Sequence, residues 1–312
     1  MSELTRVVLQ PGIGAGTHDA ISAVEGALTI VPADDEGVTD ALAGADALVT
    51  VAWRDEWLVP GLRWVQAFSA GTEQFPASRL AEAGVVLTSG RGIHGPQVAE
   101  HAFGLLLGLT RGIAAAVRTQ AEHRWEWPRL TELHGATMGI LGLGVIGEAI
   151  AVRAAAFGMR VIGTKREPAG YDGVAEQVFG PEDTAAVCGR SDVLVVAVPG
   201  GEETEHLVGR AELEALGEGW LVNVGRGSVV DEAALVAALR DGTLRGAGLD
   251  VFEREPLPEG SPLWDMPDVI VSPHCAGVSP HYGERLAGIF EHNLHALRGR
   301  GEWVNRVDPG GG

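Results

Sequence analysis

The sequence predicts an α/β protein with two parallel-sheet domains. Three observations carry this expectation. Short apolar runs alternate with amphipathic stretches of helical length, the pattern of βα units feeding a parallel sheet. A Gly/Pro-rich connector, RGIHGPQ (91–97), interrupts that alternation. Beyond it, a fresh series of strand–helix units opens at Met138.

In the N-terminal part, RVVL (6–9), ALTIV (27–31), ALVTV (47–51), RWVQAF (63–68) and VVLTS (85–89) read as strands. THDAISAVEG and VTDALAG between them read as helices. VAEHAFGLLLGLTRGIAAAVRTQ (98–120) reads as one long helix, apolar on most sides and so buried against a second domain or a second subunit. MGILGL, MRVIGT, VLVVAV, WLVNVG, GAGLDV and VIVSP read as the strands of a second sheet. The last helix, PHYGERLAGIFEHNLHALRG (280–299), is left to pack back on the first domain. The expected division is therefore 1–96 plus 279–312 for one domain and 97–278 for the other. No repeat of solenoid period occurs, and the final DPGGG is expected to fray.

Composition narrows the function classes. The chain has 312 residues, 46% of them hydrophobic, enough for a large core. Its formal net charge of -19 repels nucleic acid phosphates and anionic membranes, so neither is an expected partner. No apolar run is long and clean enough to span a bilayer, and MSELTRVVLQ lacks the regions of a signal peptide. Cys188 and Cys275 are the only cysteines, which suits a reducing, cytoplasmic location. No CxxC or HExxH spacing occurs, so no metal is expected.

Two glycine clusters follow strands. GIGAG (12–16) lacks a third glycine at the required spacing and reads as a plain strand-to-helix turn. GLGVIG (142–147) has the context of a dinucleotide site, between the strand MGIL and a helix. Gly142 permits the tight turn, Gly144 lets the backbone approach a pyrophosphate, and Gly147 lets helix and strand pack closely. Val145 and Ile146 complete the loop, and the helix N-terminus offers free N–H groups to phosphate. At the end of the next strand, where a carboxylate often holds the adenine ribose, stand Thr164, Lys165 and Arg166. Lys165 is the only lysine in the chain. A guanidinium and an ammonium there favour a 2′-phosphate, hence NADP over NAD. The plainer alternative is two solvated charges, with NAD held through its pyrophosphate.

Three reactive residue types follow, each just past a strand end, where open α/β sheets bind ligands. Arg226 lies between glycines in VNVGRGSVV, which allows it an unusual backbone conformation and a close approach, and its guanidinium suits a carboxylate. His274 in VIVSPHCAG can move a proton near neutral pH. Glu255 in GAGLDVFEREPLP can orient that histidine and favour the imidazolium. Read singly, each has a plainer explanation: a structural histidine, a solvated acidic loop shared by Glu253 and Glu255, an Arg226–Asp231 ion pair. Their order downstream of a nucleotide unit favours chemistry.

Together GILGLGVIG, VNVGRGSVVDEAAL, AGLDVFEREPLP, SPHCAG and VAEHAFGLLLGLTRG resemble the NAD(P)-dependent D-isomer-specific 2-hydroxyacid dehydrogenases, whose relatives include glyoxylate/hydroxypyruvate reductases and phosphoglycerate dehydrogenase. The resemblance spans nearly the whole chain. It implies a flavodoxin-like substrate-binding domain, a Rossmann nucleotide-binding domain, and an active site in the cleft between them. It implies catalysis by Arg226, Glu255 and His274, with Arg226 and His274 also touching substrate. It sets Asp250 near the nicotinamide, Pro199 and Thr204 on the cofactor side, and the amides of Gly71 and Thr72 on the substrate carboxylate. Trp53 matches a position of substrate contact; Trp53, Trp125 and Trp127 otherwise read as core. Departures are Glu73 in place of the usual aspartate, PGGEET (199–204) with Gly200 and Gly201 loosening the turn, and Cys275, read as a small filler. The implied activity is reversible reduction of a 2-keto acid to a D-2-hydroxy acid, by a homodimer. The alternatives are a short phosphoglycerate dehydrogenase-type enzyme and a nucleotide-sensing corepressor-like protein.

Overall fold

The computed structural model of the protein describes residues 4–308; the terminal PGGG, expected to fray, lies outside them. The chain divides into two compact units, Met1–Ile93 with Ser279–Gly312, and His94–Val278.

In the first unit, β1 (Thr5–Leu9), β2 (Ala27–Ile30), β3 (Ala47–Thr50), β4 (Trp64–Ala67) and β5 (Val86–Thr88) form a parallel sheet in the order β2-β1-β3-β4-β5. This is the flavodoxin-like order. Alternation along the strands supplies two cores. Val8, Leu48 and Val65 face Val38 of α2 (Glu36–Ala41) and Leu80 of α3 (Ala77–Glu82). Val7, Leu9 and Val49 face Ile21 of α1 (Ala15–Ser22) and the C-terminal helix Tyr282–Leu297. That helix buries Leu286, Phe290, Leu294 and Leu297, the one-face spacing that directs it here. Phe290 stacks on Trp64 at 5.0 Å. Asn293 pins the contact: its Nδ2 donates to Gln66 Oε1 (3.2 Å) and its Oδ1 accepts from Val304 N (2.9 Å). GIGAG links strand to helix: Gly12 and Ile13 end a short 3-10 helix, Gly14 adopts φ 84°, and Ala15 opens α1.

In the second unit, β6 (Thr137–Leu141), β7 (Arg160–Thr164), β8 (Gln177–Phe179), β9 (Val193–Val196), β10 (Trp220–Asn223), β11 (Gly246–Leu249) and β12 (Val269–Val271) form a parallel sheet. The order β12-β11-β10-β9-β6-β7-β8 reverses direction between β6 and β9, the switch point of a Rossmann sheet. β8 is a correction to the sequence reading. It has three residues at the sheet edge and begins at exposed Gln177, so no apolar run betrays it. One face of the sheet is covered by α4 (Gly95–Thr110) and α6 (Val145–Ala156); the other by α7 (Thr184–Cys188), α8 (Arg210–Leu216) and α9 (Glu232–Asp241).

The single helix expected over 98–120 is two. α4 ends at Thr110, and α5 (Ile113–Ala121) leaves at 65°. Gly112 sits between them at φ 65°, and a β-carbon there would meet Pro128 at 2.5 Å. α4 also begins inside the expected connector, taking Gly95, Pro96 and Gln97. It lies close on its own sheet: a β-carbon on Gly108 would stand 2.8 Å from Ile270, and one on Gly248 2.8 Å from Leu105. α5 buries no residue. Trp125 and Trp127, expected in the core, are 96% and 87% exposed. The C-terminal helix Tyr282–Leu297 completes the chain as α10. Among the described residues no single helix is long and apolar enough to cross a membrane.

Candidate functional site

The glycine loop after β6 has the shape its sequence requires. Gly142 adopts φ 95°, and a β-carbon there would stand 2.7 Å from Val198 Cγ1. Gly144 has open space where a side chain would be. A β-carbon on Gly147 would overlap the Gly142 carbonyl oxygen. Gly144 also caps α6 without any side-chain acceptor, so the first N–H groups of that helix have no partner of their own. Val145 is exposed and Ile146 half-buried at this helix start. These features fit a bound pyrophosphate: an open backbone surface, free donors and the positive end of a helix dipole.

The three residues at the end of β7 separate. Thr164 is buried, and its Oγ1 accepts from Gly142 N at 3.2 Å, so it supports the glycine turn. Lys165 Nζ donates to Leu143 O at 2.8 Å and so braces the glycine loop. Arg166 is 82% exposed at its side chain, with Glu203 4.0 Å away. In the PGGEET turn, Thr204 Oγ1 donates to Pro199 O (2.8 Å) and Gly201 O (3.2 Å). Gly200 is tight: a β-carbon would lie 3.2 Å from Arg226 Cγ. Gly200 therefore permits close approach where the sequence suggested looseness, while Gly201 has open space around it.

Arg226, Glu255 and His274 follow β10, β11 and β12 in turn. Arg226 is exposed and extended, φ -140° and ψ 146°, so the expectation of an unusual backbone there is corrected. Its glycine neighbours serve approach instead: a β-carbon on Gly225 would stand 2.7 Å from Val198 O, and one on Gly227 would overlap the Phe252 carbonyl. Buried Asn223 ties the loop, donating to Arg226 O (3.0 Å) and accepting from Gly225 N (3.1 Å). Asp231, the alternative partner of Arg226, caps α9 through Ala234 N at 2.9 Å.

Glu255 Oε2 and His274 Nδ1 are 2.6 Å apart, and Glu255 Oε1 accepts from Phe252 N at 3.0 Å. His274 is half-exposed and held at φ 49°, a left-handed conformation unusual for a side chain this large. Its loop is fixed by Asp250. The Asp250 carbonyl accepts from His274 N (2.8 Å), and its carboxylate accepts from Cys275 N (3.0 Å), Ala276 N (2.9 Å) and Ser272 Oγ (2.6 Å). Asp250, expected beside the nicotinamide, is 1% exposed and turned inward onto this loop. Burial first, and then the Asp250 charge, push the half-buried Cys275 thiol up, which keeps it protonated. His101 escaped the sequence reading: its Nε2 lies 2.8 Å from Ser272 Oγ and 3.3 Å from Asp250 Oδ1. The only signal was a histidine on a helix rich in apolar residues.

In the first unit, Trp53 is half-buried, edge-on to buried Trp57 with ring centroids 6.3 Å apart. Gly71 and Thr72 lie in the loop after β4. Their carbonyls accept from Ser69 Oγ (2.6 Å) and Phe75 N (2.9 Å).

The sheet order, the glycine turn and the open helix start define a dinucleotide-binding protein of the α/β class. Comparison makes this specific. Residues 103–276 match the family model of the D-isomer specific 2-hydroxyacid dehydrogenase, NAD binding domain. Glyoxylate/hydroxypyruvate reductase B of Yersinia pestis (strain Pestoides F) is 36% identical over 253 residues, covering 78% of this chain and 76% of that protein. Glyoxylate reductase of Korarchaeum cryptofilum is 34% identical over 256 residues, 78% of this chain and 75% of its own. The crystal structure of an NADPH-dependent glyoxylate/hydroxypyruvate reductase from Sinorhizobium meliloti, in complex with citrate, superposes with a TM-score of 0.78 at 32% identity, over 98% of this chain and 97% of that one. The chain belongs to the D-isomer-specific 2-hydroxyacid dehydrogenase family.

Proposed function

We propose that this protein reduces a small 2-keto acid, of the glyoxylate or hydroxypyruvate type, to the D-2-hydroxy acid, with NADPH preferred over NADH. The observation that carries the reading is the 2.6 Å contact between Glu255 and His274 at the strand ends of an NAD binding domain. With Nδ1 committed to the carboxylate, Nε2 is the ring nitrogen that gives its proton to the keto oxygen. Glu255 holds the tautomer and stabilises the imidazolium. Arg226 polarises the keto oxygen and binds the carboxylate, and the amides of Gly71 and Thr72 hold that carboxylate as well. The reduced nicotinamide, when bound, supplies the hydride that the keto carbon accepts. Arg166, exposed at the end of β7, is the group proposed to read the 2′-phosphate, a preference in keeping with the NADPH-dependent relative. Trp53 is proposed to limit the size of the acid.

A homodimer is proposed too. Its support is the apolar surface on α5 and the segment after it: Ile113, Val117, Trp125 and Trp127 are each more than half exposed.

A panel of 2-keto acids assayed with NADPH and with NADH tests the reading. Turnover of glyoxylate or hydroxypyruvate, faster with NADPH, is expected; turnover of none would overturn it. His274→Asn is expected to lower kcat by roughly 10²–10⁴-fold, the usual worth of a general acid.

A further inference from the structure

A second carboxylate cluster lies beside the reactive pair, in the same unit. Glu253, two residues before Glu255, points away from His274. Its Oε1 accepts from Glu232 N (3.0 Å), at the start of α9, and lies 2.9 Å from His206 Nε2. Glu232 returns the contact: its Oε2 accepts from Glu253 N at 3.3 Å. His206 ends the PGGEETEH segment, is held at φ 49°, and donates its backbone N–H to Ser228 O (2.8 Å) in the Arg226 loop.

Two consecutive backbone N–H groups of one loop therefore enter two different carboxylates. Phe252 N donates to Glu255 and Glu253 N donates to Glu232. The peptide between residues 252 and 253 is also pressed by Gly227, where a β-carbon would overlap it, and Gly227 adjoins Arg226. The two peptides that meet at Phe252 are thus the common reference for Arg226, Glu255 and, through Glu255, His274. Burial raises the Glu232 pKa; the hydrogen bond from Glu253 N acts against that rise, and the Glu253 charge adds to it. His206 Nε2 meets the same Glu253 oxygen that Glu232 N donates to. Surface decoration does not explain a reciprocal side-chain-to-backbone exchange between a helix start and a catalytic loop.

We propose that Glu253 and Glu232, with His206 holding Glu253 from the other side, form a positioning bracket that fixes the loop carrying Glu255 and so sets the Glu255–His274 contact. The proposal rests on the reading of Glu255 and His274 as the proton-transfer pair. None of the three touches the reacting atoms, so they are positioning residues.

The test uses the full chain and the variants Glu253→Ala, Glu232→Ala, Glu232→Gln and, as reference, Glu255→Gln. The His274 Nδ1–H resonance is observed by NMR and assigned by its loss in His274→Asn, and NADPH-dependent reduction of glyoxylate is followed by steady-state kinetics. The Ala variants, checked for folding by circular dichroism, are expected to move that resonance in the direction of Glu255→Gln. They are expected to lower kcat by roughly ten- to a hundredfold with KM for NADPH unchanged, the cost of a loosened catalytic geometry. Glu232→Gln keeps the acceptor for Glu253 N and is expected to restore most of the rate. If Glu253→Ala does not fold, Glu232→Ala opens the bracket from the other side. A wild-type His274 resonance and wild-type kcat in both Ala variants would overturn the bracket. A moved resonance in a protein that turns over no 2-keto acid would instead support the bracket and overturn the reductase reading.

Discussion

Lys165 and Arg166 are adjacent in the chain and equal in charge, yet they are placed for different tasks. The lysine ammonium is spent on Leu143 O, inside the glycine loop, while the guanidinium stays in solvent. Arg166→Ala is therefore expected to raise KM for NADPH alone, by roughly tenfold to a hundredfold if it removes charge-assisted bonds of ~1.5–3 kcal/mol. Lys165→Ala is expected to weaken NADPH and NADH alike, because it loosens the loop both share. Steady-state kinetics with the two cofactors separates these outcomes; equal loss of both in Arg166→Ala would sink the assignment. Thr164 and Asp250 carry a related lesson. Each is a position that the sequence assigns to the cofactor, and each is buried and holds a neighbouring loop through its side-chain oxygen.

At the scale of elements, the candidate residue Arg226 sits on a crowded loop. Gly225 and Gly227 flank Arg226 so that its loop can lie against Val198 and the Phe252 peptide. Gly227→Ala is expected to destabilise the protein by about 1–3 kcal/mol or more, since the overlapped atoms are backbone and cannot rotate away. The same change is expected to cost activity beyond what the loss of folded protein explains. A thermal melt paired with kinetics checks both; a wild-type Tm would contradict the crowding seen here. Helices show what a pattern cannot reveal. The apolar period of α4 runs on into α5, so the stretch reads as one helix. Only the contact of Gly112 with Pro128, far along the chain, shows why it must turn.

At the scale of the whole molecule, the exposed apolar surface of α5 and of Trp125 and Trp127 is the feature a monomer explains least. The proposed homodimer predicts that Trp125→Ala with Trp127→Ala shifts the mass in light scattering from that of a dimer to that of a monomer; an unchanged mass would remove this surface from the proposed assembly. The sequence by itself determined both parallel sheets, the glycine turn and the identity of the Arg226, Glu255 and His274 candidates. These are local matters: period, turn chemistry and spacing along a few residues. The three-residue edge strand β8, the break after α4, the inward turn of Asp250 and the Glu232–Glu253–His206 cluster were decided only in three dimensions. Each depends on which backbone groups meet across many residues of chain, and hydrogen bonds between such partners leave no period or composition behind in the sequence.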